Sequence, residues 1–105
     1  MSIPTSEALP VHDLVVLTPG GIASRILAKA PGGNVTLFAF DAGQGLAEHT
    51  SPFEALVLVL EGRFILTIDR QPVEVTAGSV VSMPAGIPHA VDAPEASRML
   101  LMMVK

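Results

Sequence analysis

The sequence predicts an all-β domain of many short strands, on two observations. Nine glycines and nine prolines punctuate the chain, and the stretches between them are short apolar runs rich in Val, Ile, Leu and Thr. Runs of four to eight β-branched and aliphatic residues bounded by turn-formers are the pattern of strands rather than helices. A third observation sets the scale: 105 residues give room for one domain with one core.

The elements follow in order. Met1 to about Leu14 reads as an irregular segment with a short turn at Ser6-Glu7-Ala8-Leu9. Strands are then predicted at Val15–Leu17, Ala23–Ala28, Val35–Phe40, Leu46–Ser51, Ala55–Leu60, Arg63–Asp69, Gln71–Val75, Ser79–Met83, His89–Val91 and Arg98–Val104. Pro31-Gly32-Gly33-Asn34 and Asp69-Arg70-Gln71-Pro72 sit where hairpin turns are needed, and their residue types suit tight turns. In Leu46–Ser51, alternation places Ala47, His49 and Ser51 on one face and Glu48 and Thr50 on the other. Ala55–Leu60 is apolar at every position, which predicts a strand covered on both faces, one by the core and one by a second sheet or a partner subunit.

Half of the residues are apolar and only 15% are charged, so apolar surface is expected in excess of what one core can hide. A homodimer is the simplest assembly that covers it. The net charge of −4 and six scattered basic residues argue against a nucleic-acid partner. No apolar run has the length of a membrane span, so no membrane partner is expected. The N-terminus has neither a basic n-region nor a long apolar h-region, and cytoplasmic location is the expectation. Without cysteine there are no disulfides, thiolate ligands or thiol nucleophiles.

Two spaced motifs then carry a resemblance. Gly43, His49, Ser51, Ala55 and Gly62 fall on the spacing G-x5-H-x-H-x3-E-x6-G. Gly78, Pro84, Gly86, His89 and Ala93 fall on G-x5-P-x-G-x2-H-x3-N, with fifteen residues between the two motifs. In both, the chain resembles the cupins, from about Val35 onwards. The resemblance implies a cupin-type antiparallel β-barrel, or double-stranded jelly roll, of two sheets closed on one another. It also implies that His49 and His89 face one pocket. In metal-binding cupins, four residues at these motif positions surround one divalent ion. Here Ser51 stands at the second histidine position and Ala55 at the glutamate position, so two of the four are kept.

The expected site is therefore a ligand pocket with His49, Ser51 and His89 as polar groups and Val57, Val59, Phe64 and Leu66 as an apolar wall. If a metal binds, His49 and His89 are its ligands, with Glu54 or Gln44 as the nearest third donor. Two imidazoles do not distinguish Zn, Fe, Mn, Ni or Cu, and a site without any metal is an equal expectation. By alternation Glu54 points away from His49 unless a bulge at Pro52-Phe53 shifts the register. His12 matches no motif and reads as a solvated residue. Met99, Met102 and Met103 read as core or pocket lining, and Ser51 lacks the Asp-His relay of a nucleophile. Three functions follow: a small-molecule-binding barrel without an obligatory metal; a metal-dependent enzyme of the dioxygenase or isomerase type using His49 and His89; and a dimeric partner module with a vestigial pocket.

Overall fold

In the computed structural model, which describes residues 3–105, nine strands form two antiparallel sheets. The strands are β1 (Ile22–Ala30), β2 (Gly33–Phe40), β3 (Gly45–His49), β4 (Glu54–Glu61), β5 (Arg63–Ile68), β6 (Gln71–Thr76), β7 (Val80–Met83), β8 (His89–Asp92) and β9 (Ser97–Val104). One sheet runs β1-β2-β9-β4-β7 and the other β3-β8-β5-β6. The expected antiparallel jelly roll is thus present. Both expected hairpins form. Asp69 and Arg70 take φ of 49° and 69° between Ile68 and Gln71, a left-handed pair that matches the twist of a two-residue hairpin. Pro72, which lacks an N–H, is accommodated because β6 is an edge strand.

Alternation sorts the strands into an inner and an outer face. Ala55, Val57 and Val59 of β4, Phe64 and Leu66 of β5, Val75 of β6, Met83 of β7, Val91 of β8 and Met99 of β9 turn inward and form one buried cluster with Phe40 and Ala93. Leu37 and Ala39 lie on the outer face of the larger sheet, where the N-terminal segment covers them through Leu14, Val15 and Leu17. That corrects the strand expected at Val15–Leu17. These residues form no ladder and follow a 3₁₀ turn at Val11–Leu14, so Val15 packs as an irregular cover while Val16 stays exposed. The first two residues of the expected irregular segment lie outside the described residues. β4 is covered on both faces only in part. Leu60 joins the outer cluster, whereas Leu56 at the other end of the same face is 37% exposed. Among the described residues no helix is long and apolar enough to cross a membrane.

A bulge near the end of β4 fixes the N-terminal cover. Val59 pairs with Met99 but Glu61 pairs with Arg98, so two steps on β4 match one on β9. The extra residue turns Glu61 from the barrel interior to the outer face. There it accepts from Arg98 Nη1 at 3.0 Å and from His12 Nδ1, while Arg98 Nη2 reaches the Val15 carbonyl. His12 stays solvent-exposed, as expected, and also anchors the N-terminal segment. The His12 hydrogen bond, with help from the charge of Arg98, holds the Glu61 carboxyl below its ordinary 4.5.

The Arg98 side chain is only 11% exposed and its Nε already lacks a partner, so loss of Glu61 leaves a buried cation poorly compensated. Glu61→Gln is expected to destabilise by about 1–2 kcal/mol at neutral pH, below the value for a fully buried pair because Glu61 is partly solvated. Since the folded pKa is the lower one, this stabilisation is present above the unfolded value of 4.5 and fades as pH falls through the folded value. Urea denaturation of both proteins across that range should show the difference closing. A constant difference would sink the assignment.

Candidate functional site

His49 ends β3 and His89 begins β8, and the two are directly opposed across the ladder. Plain alternation along β3 would put Leu46 and His49 on opposite faces. The strand instead carries a bulge: Leu46 pairs with Val91 and His49 with His89, three steps against two. Leu46 and His49 therefore share the inward face of β8, with Val91 and His89. The bulge is what brings the two imidazoles together, and it lies in β3 rather than at Pro52-Phe53.

Each ring is oriented from behind. His49 Nδ1 donates to the Ala47 carbonyl at 2.8 Å, and His89 Nδ1 to the Ile87 carbonyl at 3.2 Å. A carbonyl only accepts, so the proton of each neutral ring sits on Nδ1 and each Nε2 presents a lone pair. The two Nε2 atoms face each other at 3.1 Å, with ring centroids 4.4 Å apart in an edge-on arrangement. Two lone pairs at that distance repel unless something electrophilic lies between them. A hydrogen-bond donor or other electrophilic group brought by a ligand meets that need. His89 is 6% exposed, whereas His49 is open to solvent, so a ligand reaches the pair from the His49 side.

Ser51 shapes the approach. Its carbonyl accepts from Gly86 N at 2.8 Å, which ties the Pro-Gly loop before His89 to the segment after His49. Its hydroxyl accepts from Phe53 N at 3.2 Å and lies 3.9 Å from Met103 Sδ. Val57, Val59, Phe64 and Leu66, expected as pocket wall, are fully buried in the central cluster and present no surface to solvent. They fill the barrel below the pair. The nearby open volume lies at the mouth instead, a cavity of about 350 Å³ framed by Lys29, Asn34, Phe53, Met103 and Lys105. These residues come from three distant stretches of chain and none occupies a defining position of either motif, so no sequence signal groups them.

The divalent ion of metal-binding cupins needs three or four donors around one point. Nitrogen ligands of one tetrahedral ion stand about 3.3 Å apart, so the two Nε2 atoms have suitable spacing. The remaining ligands are missing. Ala55 offers no donor, and the Ser51 hydroxyl is engaged. Glu54 is exposed and lies on the outer face, one residue before inward-facing Ala55. Gln44 precedes the other end of β3, where its carbonyl accepts from Ala93 N. Glu54 therefore points away from the pair, as alternation along the strand predicts, and Gln44 precedes the opposite end of β3 from His49. Among the described residues no three of His, Cys, Asp and Glu gather as a ligand set. The residues present do not fit a resident metal held by three or four protein ligands.

Comparison with known proteins places this geometry. A conserved Streptococcus pyogenes protein of unknown function has a crystal structure similar to this one, with a TM-score of 0.94 and 37% identity over 100% of this chain and 92% of that one. A cupin superfamily protein from Desulfitobacterium hafniense is similar at a TM-score of 0.91 and 25% identity, covering 99% of this chain and 95% of that one. An uncharacterized Streptomyces coelicolor protein is 34% identical over 56 residues, 53% of each chain, so the match spans about half the length of that curated relative. The cupin domain family matches residues 36–105, a stretch that contains both histidines and most of the two sheets. The chain belongs to the cupin-domain family.

Proposed function

We propose that this cupin binds a small organic molecule at the barrel mouth without a resident metal, and that the His49–His89 pair is its polar anchor. The observation that carries the reading is the pair itself. Two Nε2 atoms 3.1 Å apart, each locked by a carbonyl behind it, stand without the further ligands that a metal requires. Such a pair accepts a hydrogen bond from a ligand hydroxyl or acid through its Nε2 lone pairs. The packed barrel beneath excludes water from one side and leaves the ligand's approach to the open side.

The test is elemental analysis of protein purified without a metal-affinity column, beside a His49→Ala/His89→Ala double variant. Metal well below one ion per chain in both is the expected result. About one ion per chain in the wild type, lost in the double variant, would replace this reading with a metal-dependent enzyme. The suitable nitrogen spacing is the observation that favours that second reading.

A further inference from the structure

The charge around the mouth cavity is out of keeping with an acidic chain. Among the described residues Arg63 is paired with Glu74 and Glu95, and Arg98 with Glu61. Arg25 donates to the Leu14 carbonyl. Of the six basic residues this leaves Arg25, Lys29, Arg70 and Lys105 without a carboxylate partner among the described residues, and two of those four line one cavity whose lining includes no Asp or Glu. In a chain of net charge −4, two lysines beside one concave site make the local field there favour an anion.

The cavity's other residues narrow the ligand. The Lys105 backbone N–H donates to the Gly32 carbonyl, and its Nζ lies 5.6 Å from the centroid of the Phe53 ring. The ammonium is thereby held over the aromatic face rather than ranging through solvent. Asn34 Oδ1 accepts from Thr36 Oγ1 at 3.4 Å, which leaves its amide N–H groups to donate. Phe53, Met103, Pro31 and Ala30 supply an apolar wall. A volume of about 350 Å³ is at the small end of ligand sites. Two cations and an amide donor at one rim, with an aromatic and a thioether behind, suit one carboxylate on a compact apolar body.

We infer that the cavity framed by Lys29, Asn34, Phe53, Met103 and Lys105 binds a small organic carboxylate, with the two lysines on the acid group and Phe53 and Met103 against its apolar body. The inference rests on the reading that the barrel mouth takes small molecules, and it supplies the ligand's chemical class. Ser51 joins this cavity to the pair, since its hydroxyl touches Met103 and its backbone follows His49 by two residues.

Benzoate is the probe, with benzamide as a neutral molecule of nearly the same shape, each titrated against the full chain by NMR. Benzoate should shift the Phe53 ring and Met103 methyl signals saturably. Its affinity should fall about tenfold in Lys29→Gln/Lys105→Gln, and benzamide should bind the wild type about tenfold more weakly than benzoate, as loss of charge-assisted contacts requires. Both lysines are exposed, so the double variant should keep the wild-type spectrum outside the cavity. Equal binding of the two probes, or benzoate binding that ignores the lysines, overturns the carboxylate assignment and leaves the small-molecule reading of the mouth standing. No saturable shift from either probe by about 50 mM, beyond the millimolar range expected of so small a ligand, overturns the cavity as a site. The histidine pair is then tested separately by its metal content.

Discussion

Phe64→Ala is expected to destabilise the protein by about 3–5 kcal/mol, the range for removing a fully buried aromatic ring from a packed core. Phe64 has no exposed surface and meets Phe40 edge-to-face, with centroids 5.1 Å apart and planes at 84°. It stands where the two sheets meet, on β5, with Val75 of β6 directly across the ladder. A loss of that size is about a fifth or more of the total stability of an ordinary domain. The measurement is urea unfolding with the slope checked for constancy. Val16→Ala, at an exposed site of the N-terminal cover, is the control and should change stability by less than about 0.5 kcal/mol. The outcome also decides between two roles for this part of the barrel. If Phe64, Val57, Val59 and Leu66 lined a hydrated ligand pocket, truncation at Phe64 would cost under about 1 kcal/mol, because little would be lost that water did not already share. The full loss is what a filled barrel requires, and it would place ligand binding at the mouth.

Gly62→Ala should cost about 2–4 kcal/mol. Gly62 joins β4 to β5, and so one sheet to the other, with φ at +71°. A side chain there pays for a left-handed conformation and also for space that is already taken. A Cβ would run into the Ser97 hydroxyl and stand 2.7 Å from the Ala96 carbonyl oxygen. The hydroxyl cannot simply move aside. It accepts from Arg63 N at 3.0 Å and has the Glu95 and Arg63 carbonyls at 2.8 and 2.9 Å, so it organises the crossover between sheets. Ser97→Ala alone should cost about 1–3 kcal/mol by leaving a sheltered N–H without its acceptor. In the Gly62→Ala/Ser97→Ala double variant, part of the collision disappears with the hydroxyl, so the combined loss should be smaller than the sum of the single losses. Strict additivity in thermal or urea unfolding would show that the collision with Ser97 does not carry the effect.

Taken by itself, the sequence determined the strand content and the places where the chain turns. The nine strands expected from Ala23 onward needed only local chemistry: β-branched side chains favour extended backbone, and Pro31-Gly32 or Asp69-Arg70 favour reversal. That His49 and His89 face one site was implied by the resemblance to the cupins that the two motifs carry, and the β3–β8 ladder sets the two residues opposite each other. What needed the tertiary structure were the departures from period two and the contacts between distant segments. The bulge in β3 puts Leu46 and His49 on one face, and the bulge in β4 turns Glu61 out toward Arg98 and His12. Each is stabilised by partners on other strands, so alternation along a single strand does not reveal it. Val15 looks like the start of a strand, yet no strand edge pairs with it and it covers Leu37 and Ala39 instead. Glu54 and Gln44 are close to His49 in sequence, yet the pleat of β4 turns Glu54 to the outer face and the length of β3 lies between Gln44 and His49. The lysine-framed cavity joins the β1–β2 hairpin, the β3–β4 loop and the end of β9, and only closure of the two sheets brings those three stretches to one place.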